Sequence, residues 1–124
     1  MNPFPQREPW VPNQDVFVNQ LGELIIEFEL SSLRPDDLTL TREENCILVS
    51  GNRTESVQAP ADPDQYVVRQ IARGSFSCTV KIAANFDAAA SKAVYSNGIL
   101  RICVPPTESF KDRLHPPSPP LGAA

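Results

Sequence analysis

A chain that performs chemistry needs a nucleophile beside a base, a set of metal ligands or a phosphate-cradling loop. The residues for each are sparse here. The single histidine, His115, falls in the stretch His115-Pro116-Pro117-Ser118-Pro119-Pro120, where no ordered site is expected, so a hydrolytic nucleophile would lack its base. Cys46, Cys78 and Cys103 are widely spaced with no C-x-x-C pairing, and with one tail histidine they do not form the four-ligand set that zinc takes. Each lies in an apolar or β-rich run, which reads as buried, reduced thiols. The acidic pairs Asp36-Asp37 and Glu43-Glu44 could do acid and base work, but both fall in predicted turns, where solvated carboxylates are the commoner explanation. The five glycines are isolated, so no phosphate loop is built. The expectation is a chain with no catalytic residue, no metal and no cofactor.

Composition narrows the class further. With 124 residues and 41% apolar side chains, one modest core is expected rather than two. A net charge of −4 argues against nucleic acid, which needs clustered Lys and Arg. Neither an apolar leader in residues 1–30 nor a run of about 18 apolar residues is present, so the reading is a cytoplasmic protein with no membrane partner.

Proline placement marks the domain. Ten of the thirteen prolines fall outside residues 13–104, because a residue without a backbone N–H is poorly tolerated in paired strands. The expected organisation is a short flexible arm at 1–9, a domain at 10–105 and a Pro-rich disordered tail at 106–124. That tail could instead adopt polyproline II and dock on an aromatic groove. Trp10 is expected to cap the sandwich, whereas Phe4 and Phe110 are left open between capping and contact with other proteins.

Inside the domain the pattern is β. Leu24, Ile26, Phe28 and Leu30 alternate with Glu23, Ile25, Glu27 and Glu29, which puts one face on a core and the other mostly in water. Asp15–Val18, Leu38–Thr41, Cys46–Ser50, Tyr66–Ile71 and Ser75–Ile82 add strands, with Cys46–Ser50 central because it is apolar on both faces. Asn52–Gln65 reads as a long polar loop, and Phe86–Lys92 as one helical turn at most. Ala93–Pro105 is a hairpin: Asn97-Gly98 tolerates the positive φ of a two-residue turn, and Ile99–Val104 follows as a strand that Pro105 ends. About eight short strands with no convincing helix predict an all-β fold, an immunoglobulin-like two-sheet β-sandwich.

Several motifs then resemble the small heat-shock protein, or α-crystallin, family. Ala93, Asn97, Gly98, Ile99 and Leu100 match its A-x-x-x-N-G-V/I-L signature. Trp10-Val11-Pro12 with Asp15-Val16 is similar to its opening strand, Pro35-Asp36-Asp37-Leu38 to its P-E-D-L/I turn, Leu48-Val49-Ser50-Gly51 with Arg53 to its L-x-I-S-G-x-R, and Gly74-Ser75-Phe76 to its G-x-F. There are departures. Leu30-Ser31-Ser32 stands where L-P-G is frequent, Gln70 where glutamate is, and Cys78 where arginine is.

The resemblance implies an ATP-independent holdase that binds unfolded client proteins through exposed apolar surface. It implies a homodimer in which Tyr66, Val67, Val68, Arg69, Gln70 and Ile71 cross to pair with the partner's Asp15, Val16, Phe17 and Val18. It also implies an apolar groove between two edge strands, mapped onto Leu38 and Leu40 on one side and Val94 on the other. The short arm, and a tail without an I-x-I/V tag, lead to the expectation of a dimer or small oligomer with an open groove, able to join a longer homologue as a hetero-oligomer. Two other readings compete: a CS-type docking module or co-chaperone, which shares the sandwich but lacks the crossing strand, and a redox or metal protein using its cysteines.

Overall fold

A computed structural model describes residues 9–114. Among them seven strands, β1 (Gln14–Val18), β2 (Leu24–Glu29), β3 (Leu38–Arg42), β4 (Cys46–Arg53), β5 (Gly74–Lys81), β6 (Lys92–Ser96) and β7 (Ile99–Val104), precede one short helix, α1 (Glu108–Leu114). All strand neighbours are antiparallel: β1-β2-β7-β6 form one sheet and β3-β4-β5 the other. The immunoglobulin-like sandwich follows from period-two alternation in both sheets.

The core lies between the sheets. Ile26, Phe28 and Leu30 from the β2 segment, Leu100, Ile102 and Val104 from β7, Ile47 and Val49 from β4, and Phe76 and Cys78 from β5 form one buried cluster. Trp10 closes it at one edge. Its backbone bridges to Phe76, its ring lies 5.1 Å from the Phe76 ring, and its indole N–H donates to the Gly74 carbonyl at 3.1 Å. The predicted capping role of Trp10 agrees with this geometry. Ile25, assigned by alternation to the solvent face, is buried as well. The pairing register places it between Phe17 and Cys103, which share that outer face.

Two turns need unusual backbone. Asn97 and Gly98 have φ of 52° and 79°, the left-handed pair that a tight hairpin requires, and the Gly98 carbonyl accepts the Leu30 N–H at 2.8 Å. Ser32 has φ of 62°, so a serine occupies left-handed backbone in the segment where the family pattern L-P-G ends in glycine.

Tyr66–Ile71, expected to pair with a second copy, has no strand beside it among the described residues of its own chain. One expectation changes. Residues 108–114, expected to be disordered, form α1. Thr107 Oγ1 accepts the Phe110 N–H, Glu108 lies in the first turn with Lys111 and Arg113 in the last, and Phe110 packs edge-on against Phe86 with centroids 5.7 Å apart. This settles Phe110 as a packing residue. Phe4, His115 and the prolines after it lie outside the described residues.

Candidate functional site

Two regions present edge strands with no neighbouring strand on one side among the described residues. The first lies between β3 and β6, edge strands of different sheets. Leu40 is opposite Val49, a core residue, and Leu38 is opposite Gly51, so both leucines face inward and pack against the core while remaining half-buried. Gly51 permits this approach: a Cβ there would stand 2.1 Å from the Asp37 carbonyl and 2.6 Å from the Phe76 ring.

On β6 the pairing register decides which side chains face the same space. Tyr95 is opposite Leu100 and Ala93 opposite Ile102, both core positions, whereas Val94 is opposite Arg101 and is exposed. Adjacent residues on a strand point to opposite faces. Val94 therefore belongs to the outer surface, and Ala93 and Tyr95 form the β6 wall; reading the strand without its register missed this by one residue. The Tyr95 hydroxyl donates to the Leu30 carbonyl and fixes that wall. At the other end Arg42 crosses from β3, its Nε donating to the Ser91 carbonyl at 3.2 Å and hydroxyl at 2.9 Å.

The second region is β1 with the 54–73 loop. All five β1 residues are exposed, among them Val16, Phe17 and Val18. β1 is the end strand of its sheet, so its outward backbone groups have no strand beside them among the described residues. In the loop Val67 is 98% exposed, with Val68 and Ile71 also exposed. Three such apolar side chains in water within six residues are unusual unless something covers them.

The loop is nonetheless anchored. Buried Arg53 donates to the Ser31 carbonyl at 3.1 Å and the Ala72 carbonyl at 3.0 Å while stacking over Trp10 at 4.5 Å. Burial lowers its pKa from the ordinary arginine value. Within the loop Glu55 pairs with Arg69 and accepts from the Tyr66 hydroxyl, and the Arg69 guanidinium lies over the Tyr66 ring at 4.6 Å. Arg73 donates to the Thr54 carbonyl at 3.0 Å. The base is thus tied to the sandwich, while Val67, Val68 and Ile71 face solvent.

The cysteines are free thiols held protonated. Burial and a hydrogen bond to Glu23 push Cys103 up to about 11, burial raises Cys78, and a hydrogen bond to Glu43 raises Cys46. Each shift works against the thiolate that redox or metal chemistry uses. Bonds from Asn19 and Cys103 lower the pKa of the Glu23 carboxyl. Among the described residues no three His, Cys, Asp or Glu side chains gather as metal ligands, and no helix is long and apolar enough to cross a membrane.

The chain has recognisable relatives. It is 28% identical over 92 residues to the 18 kDa antigen of Mycobacterium leprae, covering 73% of this chain and 59% of that protein. It is 26% identical over 103 residues to small heat shock protein C2 of Rickettsia felis, covering 83% and 65%. The match thus spans about three fifths of these relatives' length. The solved structure of hspA from Xanthomonas axonopodis shares the fold, with TM-score 0.70, 19% identity and coverage of 81% of this chain and 97% of that one. Residues 17–116 match the Hsp20/alpha crystallin family. This chain therefore belongs to that family: it is a small heat-shock protein whose β-sandwich is an α-crystallin domain.

Proposed function

We propose that the chain is a non-enzymatic, ATP-independent chaperone that holds partly unfolded proteins and limits their aggregation. In this reading Leu38, Leu40, Ala93 and Tyr95 receive an extended apolar segment of the client, and no cofactor takes part. Binding of this kind needs apolar surface and open backbone hydrogen-bonding groups rather than a nucleophile. The three protonated thiols suit a reducing cytoplasm.

The observation that carries the reading is a pair of complementary strips on one chain. β1 offers an open strand edge beside Val16, Phe17 and Val18, and the anchored loop projects Val67, Val68 and Ile71 with no strand to pair with among the described residues of its own chain. Exchange between two copies satisfies both and gives a homodimer or small oligomer, with a longer homologue as an alternative partner. A 20-residue loop, 54–73, favours this over a CS-type docking module, which needs no crossing segment.

The test combines mass and protection. Light scattering after size exclusion is expected to give a dimer or small oligomer, and a particle of a dozen or more subunits overturns that part. In a light-scattering assay with a heat-labile enzyme as client, aggregation is expected to fall as the chain is added. No suppression at molar excess removes the holdase role and favours docking to another chaperone.

A further inference from the structure

The groove is apolar along only part of its length. Leu38, Leu40 and Arg42 are alternate residues of β3 and share its inward face, with Arg42 opposite the core residue Ile47. Alternate side chains on a strand are spaced by about 6.8 Å, the same repeat as on any extended segment lying beside it. Two apolar positions are thus followed, in register, by a cation.

That cation is fixed in place, and no ion pair among the described residues uses its charge. Its Nε is held by the carbonyl and hydroxyl of Ser91, itself buried, so the guanidinium has a set position at the groove's end. The ion pairs among the described residues are Arg69 with Glu55 and Arg101 with Glu27, and neither involves Arg42. The adjacent Glu43 turns to the other face of the sheet, where it accepts from Cys46. A guanidinium anchored through Nε still presents its terminal N–H groups as a fork that fits a carboxylate.

We infer that Arg42 is a specificity-determining residue of the groove, selecting extended segments in which two alternate apolar side chains are followed, at the next alternate position, by Asp or Glu. The inference rests on the groove reading above and adds a charge to what would otherwise be selection by apolar burial alone. Arg42 and Ser91 together also end the groove, so a lysine at that position of the segment meets a like charge.

Fluorescein-labelled eight-residue peptides test it by anisotropy with the full chain. Each carries leucines at two alternate positions and Glu, Gln or Lys at the third, with the variable residue placed on the N-terminal side in one set and the C-terminal side in the other. In one set the Glu peptide is expected to bind about 5-fold tighter than the Gln peptide, the scale of an exposed ion pair, and the Lys peptide weakest. The order should collapse in Arg42→Gln, invert in Arg42→Glu and narrow at high salt. Equal binding of Glu and Gln peptides in both sets overturns the inference, as does a preference that persists in Arg42→Gln. If no peptide binds the wild-type chain while client protection is intact, the groove reading itself fails and takes this inference with it.

Discussion

The two long sides of the sandwich are finished differently. On the β3/β6 side the inward Leu38, Leu40 and Tyr95 pack against the core, and Arg42 ties the two sheets together through Ser91. On the β1 side a four-stranded sheet overhangs a three-stranded one, and even the inward-facing Val16 and Val18 stay 48% and 56% exposed. The difference separates stability from association. Apolar area already packed in the core contributes to folding whether or not a partner is present, whereas area left on an overhanging strand contributes only when another chain covers it.

Substitutions on the two sides should therefore divide cleanly. Gly51→Ala attacks the closed side, where a new Cβ has no room against Asp37 and Phe76. We expect a loss of about 3 kcal/mol or more in urea unfolding, at the upper end for overpacked cores; a loss under about 1 kcal/mol would mean that β3 is loosely held. Val16→Asp acts on the open side. Sedimentation should show self-association weakened by about 100-fold, or about 2.7 kcal/mol, with the far-ultraviolet circular dichroism of a folded sandwich retained. Unchanged association would remove β1 from the interface.

Leu40→Asp sharpens the comparison by placing charge in the proposed groove. Because Leu40 also packs against the core, the variant is compared at a temperature where it remains folded; about ten times more protein should be needed for equal client protection, while the sedimentation profile stays that of wild type. Undiminished protection would move the client site elsewhere.

The outer face of the overhanging sheet gives a pH-dependent test. Cys103 is pushed up to about 11 in the folded state, against about 8.5 for a free thiol. The folded chain thus holds its proton more tightly than the unfolded one, and the contribution is fully present below about pH 8.5 and lost as pH rises towards 11. Allowing for partial exposure, a decline of about 1 kcal/mol is expected over that window, flattened in Cys103→Ala; equal slopes would assign it to other groups. The smallest effect is a gain. Ser32→Gly relieves left-handed backbone at φ 62° and should stabilise the fold by about 0.5–1 kcal/mol, which a thermal melt would show as a rise of a few degrees.

Much of this was legible in the chain. Alternation in the β2 segment and in Phe76, Cys78 and Ile82 selected core residues, and Asn97-Gly98 located the hairpin. Three features read incompletely, each for a physical reason. Tyr66–Ile71 has strand composition, yet a strand exists only where a neighbour completes its hydrogen bonds. The helix over 108–114 was hidden by flanking prolines, although Thr107 and Glu108 carry a start signal. Ile25 looked solvent-facing because alternation cannot show that Phe17 and Cys103 flank it.

Local chemistry in the sequence determined where strands run, where they turn and which face of each is apolar, because those depend on residues one to four positions apart. The tertiary structure decided which strands became edges, that Tyr95 rather than Val94 faces inward, and that Arg42 meets Ser91 across 49 residues of chain. These depend on register between distant segments, where a shift of one residue reverses every side chain and which only the packed sandwich can set.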